Sequence, residues 1–127
     1  MIHFIRQVFT HVLENPVFDE SLIEQYFSRD YVQTVDHQQL HYEEFVLHIK
    51  KLKEKVAEQH IDIVSYAENG DSIFTRHIAK SFLKDGSYAL HQVMAEFTIR
   101  DQKIVRCNEL TLLLEGNHAE KNLGSEI

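Results

Sequence analysis

The chain predicts an α+β fold, with three N-terminal helices packed on one face of a strongly curved antiparallel sheet. Three observations carry this reading. Apolar residues recur at helical spacing up to about residue 56, the period changes to that of strands from His60 to Glu115, and short turn signals divide the second part.

Ile2, Ile5, Val8, Phe9, Val12 and Leu13 form the apolar stripe of a first helix, which Asn15-Pro16 closes. Asp19 is suited to cap a second, short helix ending near Ser28, with Phe18 and Ile23 placed to staple its entry. Tyr31 to Val35 read as a short strand, followed by the loop Asp36-His37-Gln38-Gln39. Phe45, Ile49, Leu52 and Val56 make one face of a third helix. Its first turn holds Glu43 and Glu44 and its later turns hold lysines, as the helix dipole favours. Asn69-Gly70 is a hairpin signal between strands 61–68 and 71–83. Asp85-Gly86 turns the chain again, and Asp101-Gln102 makes the last reversal before a strand over 103–114. Residues 1–115 thus form a single domain, and 116–127, polar with two glycines, a loose tail.

Composition limits the function classes. With 43% hydrophobic and 26% charged residues, the 127-residue chain is an ordinary globular domain with a real core. A formal charge of −7 argues against nucleic-acid binding, which needs a basic face. Glu54 and Glu58 interrupt the basic cluster Lys50, Lys51, Lys53 and Lys55, which reads as a solvated helix face. The single cysteine, Cys107, excludes an internal disulfide and fits a reducing cytoplasm. Arg6, Gln7 and several histidines break the N-terminal segment MIHFIRQVFTHVLE, so it lacks the apolar core of a signal peptide. No apolar run approaches the roughly 18 residues of a membrane span. His37, His41 and His48 lack the HExxH arrangement and read as surface histidines, and no Gly-rich phosphate loop or nucleophile elbow is present. The expectation is a soluble cytoplasmic protein with a small-molecule ligand, no cofactor and no metal.

YFSRDYVQTVD ahead of the third helix and AEFTIRDQKIVRCNELTLL at the end resemble the nuclear transport factor 2-like superfamily, in its polyketide-cyclase-like (SnoaL-like) branch, over about residues 1–115. The resemblance implies a cystatin-like architecture with a cone-shaped pocket between curved sheet and helices, and commonly a homodimer. Proteins of this kind include isomerases, cyclases, dehydratases, epoxide hydrolases and plain binding proteins, so the likeness specifies fold better than chemistry. Gln102 departs from the pattern at a turn position where such proteins often have Gly. TVD places Asp36 where it resembles the catalytic aspartate of the superfamily's ketosteroid isomerases, and Glu96 falls near their acidic oxyanion donor. The first helix, however, lacks the matching tyrosine.

Turn positions suggest a register. With Glu68 opposite Asp71, Asp62 faces His77 and Val64 faces Thr75. With Leu83 opposite Tyr88, His77 lies beside Met94 and Thr75 beside Glu96; with Arg100 opposite Lys103, Met94 meets Glu109 and Glu96 meets Cys107. One face then gathers Asp62, His77, Met94, Glu109, Thr75, Glu96 and Cys107, and is assigned to the pocket. Tyr31, Phe45 and Ile49 are expected to line it from the other side. The opposite face, from Phe74 and Arg76 to Leu110 and Leu112, sets basic side chains between aliphatics and suits a homodimer interface. A one-residue slip or a bulge would exchange the faces.

On this register His77 is the candidate general base, oriented by Asp62, with Glu96 or Glu109 as proton donor and Asp36 as the competing base. Such a set suits cofactor-independent isomerisation, elimination or cyclisation of a small, mainly apolar substrate. The alternative is a noncatalytic binding or interaction module, in which His77 is a buried histidine satisfied by Asp62.

Overall fold

The computed structural model describes residues 1–116. Helix α1 (Ile2–Val8) runs on into a wider π-helical turn, Phe9–Leu13, in which the Glu14 amide donates to the Phe9 carbonyl at 2.7 Å. Helix α2 (Glu20–Tyr26) begins where the Asp19 carboxylate accepts from the Ser21 amide at 3.0 Å, the cap expected there. It ends two residues before Ser28, and strand β1 (Phe27–Val35) follows at once.

Asp36 and His37 both take positive φ, so the chain reverses in two residues and strand β2 (Gln38–His41) pairs back on β1 where a loop was expected. Asp and His enter the left-handed region more readily than most residues, which lets this turn form without glycine. Asp101 and Gln102 also take positive φ, at 51° and 61°, so a tight hairpin forms there without glycine. Helix α3 (Tyr42–Lys55) has Glu43 and Glu44 in its first turn and Lys53 and Lys55 in its last; the Glu44 carboxylate accepts from the His41 amide at 3.0 Å. Strands β3 (Val56–Asn69), β4 (Ser72–Leu83), β5 (Tyr88–Arg100) and β6 (Lys103–Glu115) complete the chain.

The six strands form one open sheet in the order β2-β1-β6-β5-β4-β3. Its pairs are antiparallel except β1 with β6, which run parallel and set Gln33 opposite Cys107 and Val35 opposite Glu109. The helices cover one face of this sheet, where Ile5, Phe9, Phe27, Ile49, Val93 and Phe97 pack into a continuous core. The three-helix α+β architecture therefore stands, with one parallel pair inside a mainly antiparallel sheet.

The register differs from the expected one in all three hairpins, by two residues and then, past a bulge, by one in the first, and by one in each of the others. Asn69 pairs with Ser72, so the first hairpin loop is Gly70-Asp71, with Gly70 at φ 61°. A bulge between Ile63 and Ser65 then shifts β3, and Ile63 faces His77 while Asp62 faces Ile78. The next loop spans 83–87, closed by the Leu83 amide on the Ser87 carbonyl at 2.9 Å, so Phe82 faces Tyr88 and Val93 faces His77. A bulge between Thr98 and Ile99 sets Phe97 opposite Cys107 and Ala95 opposite Glu109. Because side chains alternate, each slip carries residues to the other face. His91, Val93, Ala95 and Phe97 therefore lie inside, and Met94 and Glu96 outside.

Among the described residues no helix is long and apolar enough to cross a membrane. The tail expected over 116–127 lies, from residue 117, outside the described residues.

Candidate functional site

Between helices and sheet lies an inner cavity of about 110 Å³. The helices contribute Phe9, Phe45, His48 and Ile49, while Tyr31, Gln33, His77, Cys107, Glu109 and Thr111 reach it from the strands. Its lining is mostly apolar, so the few polar groups are held in place by one another.

The Tyr31 hydroxyl donates to Gln33 Oε1 at 2.7 Å, and Gln33 Nε2 donates to Glu109 Oε1 at 3.0 Å. This chain crosses the parallel junction of β1 and β6, and it exists because β1 alternates Tyr31, Gln33 and Val35 into the interior. Burial pushes the Glu109 carboxyl up to about 7, and the nearby Asp36 charge adds to the effect. Burial also raises the Tyr31 phenol and the Cys107 thiol well above their ordinary ranges, so both stay protonated. His77 is pushed down to about 4 by burial and is neutral at physiological pH. Its Nδ1 lies 2.9 Å from the Thr75 hydroxyl, and the Phe9 ring stands over it at 4.9 Å between centroids.

Asp36 lies beside this wall and serves as a clasp. Its carboxylate accepts from the Thr111 amide at 2.8 Å and from the Thr111 hydroxyl, while its own amide donates to the Glu109 carbonyl at 3.0 Å. That fastens the end of β1 to β6 directly behind Glu109.

The sequence-derived candidates separate accordingly. Tyr31, Phe45, Ile49, His77, Cys107 and Glu109 line the inner cavity. Thr75 is buried just behind His77 and orients it. Asp62 is exposed on the outer face opposite Ile78, so it cannot orient His77. Met94, 51% exposed, and Glu96 are also on the outer face, beside Arg76 and Asn108 respectively. His48, read from sequence as a surface histidine, is buried. Its position between Phe45 and Ile49 on the apolar stripe of α3 is the signal for that burial. Gln33 escaped the sequence reading because a glutamine inside a short strand carries no mark beyond its alternation with Tyr31 and Val35.

A larger, open depression of about 590 Å³ lies on the outer face, with Tyr66, Phe74, Arg76, Met94, Glu96 and Leu110 on its rim. His77 lines the inner cavity and not the outer depression, whereas Glu109 borders both, so the two groups with displaced proton affinities meet at the inner cavity. Among the described residues no three His, Cys, Asp or Glu side chains converge as metal ligands.

No protein-family model matches the sequence. The chain is 32% identical over 122 residues to an uncharacterized protein of Schizosaccharomyces pombe, covering 96% of this chain and 93% of that one. Among solved structures, AclR, a proposed hydroxylase from Streptomyces galilaeus, matches with a TM-score of 0.73 at 14% identity, over 100% of this chain and 88% of AclR. A proposed SnoaL-like polyketide cyclase from Jannaschia sp. CCS1 matches with a TM-score of 0.71 at 10% identity, over 87% of this chain and 83% of that one. An LEH-like epoxide hydrolase from M. tuberculosis matches with a TM-score of 0.71 at 14% identity, over 87% of this chain and 81% of that one. At these identities the structural likeness carries fold and not reaction.

Proposed function

Because the chain belongs to the family of the Schizosaccharomyces pombe protein and has the SnoaL-like form of the nuclear transport factor 2-like fold, we propose that its inner cavity binds a small, mainly apolar molecule and that Glu109 moves a proton to and from it. The observation that carries this reading is a carboxyl set in an apolar cavity, bonded by Gln33 and raised to about 7. A carboxyl near the working pH has both protonation states available, which is the condition for general acid–base catalysis.

The chemistry is cofactor-independent isomerisation or a related lyase step. The Glu109 carboxylate takes a proton from the carbon beside a carbonyl, and the electron pair left behind delocalises onto oxygen. The same carboxyl then returns the proton to carbon. His77 does not act as the base, since a group depressed to about 4 holds a proton poorly. In the tautomer with the proton on Nε2, Thr75 donates to Nδ1 and Nε2–H donates to the developing oxyanion. His77 and Glu109 stand two strands and one side-chain row apart, with Val93 and Ala95 between, roughly 12 Å at the backbone. Their side chains reach inward from both ends of a gap that one small ligand spans.

Solvent exchange tests this without a known substrate. Deuterium incorporation beside the carbonyl of cyclopentanone in D₂O, followed by proton NMR, is expected to rise with enzyme and to fall at least a hundredfold in Glu109→Gln. Exchange equal in wild type and Glu109→Gln would refute the catalytic role. Ketone binding without exchange favours the noncatalytic reading, in which Glu109 only donates a hydrogen bond.

The outer face is assigned to a second copy of the chain. Met94, Leu110 and Leu112 are exposed between the basic Arg76, Lys80 and Arg106 and the acidic Asp62 and Glu96. A face carrying both charge signs around an apolar centre is complementary to its own two-fold copy. The free Cys107 thiol suits the reducing cytoplasm, the compartment we assign.

A further inference from the structure

We infer that the inner site admits neutral molecules only up to the size of a single four- or five-membered ring, and that Phe9 sets this limit. The inference rests on the reading of the inner cavity as the ligand site and adds the class of ligand it takes.

Size is the first argument. A cavity of about 150 Å³ holds benzene, and sites for drug-sized ligands run to roughly 300–1,000 Å³. At about 110 Å³ this cavity has room for about six non-hydrogen atoms or fewer, far below a fused-ring molecule. The space is filled by the protein's own rings. Phe9 lies 4.9 Å from the His77 ring and 5.9 Å from Phe97, while Phe27, Tyr31 and Phe45 form a second cluster with centroids 4.7, 4.8 and 4.9 Å apart.

Position singles out Phe9 among these rings. It opens the π-helical turn, and its carbonyl takes the Glu14 amide. Glu14 in turn accepts from the Ile61 amide at 2.8 Å, tying the turn to β3. The ring is thus clamped through its backbone while it leans against His77 at a tilt of 54°. Wide turns of this kind are rare and concentrate at functional sites. Phe27, Tyr31 and Phe45, by contrast, hold each other and belong to the packing of α3 on β1.

Charge is the remaining argument. Neither lysine nor arginine is among the residues lining the cavity, and Glu109 stands at its polar end. An anionic ligand would bury its charge beside a carboxyl with no cation to meet it. A neutral ligand with one carbonyl or ether oxygen meets the donors available.

The test uses the intact protein and a series of ketones: cyclobutanone, cyclopentanone, cyclohexanone and the bicyclic 2-decalone, with acetate as the anion. Binding is read from the methyl NMR signals of Val93 and Leu52. Cyclobutanone and cyclopentanone are expected to shift these signals, with cyclohexanone weaker than cyclopentanone and with 2-decalone and acetate at least tenfold weaker. Phe9→Ala, and more weakly Phe9→Leu, is expected to admit 2-decalone. If wild type binds 2-decalone in the cavity as tightly as cyclopentanone, the size limit is overturned while the ligand site stands. Tighter binding of acetate overturns the neutrality. If no ketone moves these signals, the inner-site reading fails along with the inference. Should Phe9→Ala not fold, the wild-type series and Phe9→Leu still decide.

Discussion

Gln33 Nε2 donates to Glu109 Oε1 at 3.0 Å, across the parallel junction of β1 and β6. Because the Tyr31 hydroxyl occupies the other end of the Gln33 amide, the glutamine turns its nitrogen toward Glu109. The carboxyl is therefore fixed in orientation while burial raises its proton affinity. Geometry and titration converge on one side chain, and the functional proposal follows from that convergence.

Glu109 and His77 impose opposite pH dependences on stability. Glu109 rises from its ordinary 4.5 to about 7 on folding, so its contribution is full below pH 4.5 and is lost as pH rises toward 7. His77 falls from 6.5 to about 4, so its contribution is full above pH 6.5 and is lost as pH falls toward 4. Each displacement corresponds to about 3 kcal/mol, and in wild type the two nearly cancel. Urea unfolding at several pH values is expected to show Glu109→Gln gaining stability from pH 4 to 6.5 and His77→Asn losing it from pH 4.5 to 7. Parallel curves for the two variants would contradict this assignment.

Asp36 is expected to act on Glu109 through charge while holding Thr111 in place. Asp36→Asn keeps the shape of the clasp and removes the charge that helps raise the Glu109 carboxyl. Glu109 should then titrate below 7 but still above 4.5, since burial is the larger cause. A carboxyl-carbon NMR titration of the variant reads this directly. An unchanged titration would assign the whole displacement to burial.

The outer face gives an independent expectation. Leu110, 56% exposed, and Met94 lie opposite each other at its centre. Leu110→Lys combined with Met94→Lys should turn a dimer into a monomer in sedimentation velocity. The fold itself should lose little stability, because neither residue is in the core. A wild-type protein that already sediments as a monomer would leave this face without the assigned partner.

Much of the fold is legible in the sequence because periodicity and turn residues report local structure. The stripe of α3, the Asp19 cap and the four long strands are all read this way. The candidate site is legible only in part, because a sheet site depends on register. Glu109, Cys107 and His77 come out on the inner face, as do Tyr31, Phe45 and Ile49. Asp62 is lost to the bulge after Ile63, and Met94 and Glu96 to the longer loop before Tyr88. Neither device leaves a mark in residue type: the bulge falls at an ordinary valine, Val64, and the loop at a common Asp-Gly pair. The pairing of β1 with β6 is a matter of topology, so no local pattern announces that Gln33 meets Glu109.

The most direct measurement is the titration of the Glu109 carboxyl carbon in wild-type protein, assigned by comparison with Glu109→Gln. A midpoint near 7, moving when cyclopentanone is added, is the expected result. A midpoint near the ordinary 4.5, indifferent to ligand, would contradict the account, since the carboxyl would then be neither desolvated in the cavity nor in contact with the ligand.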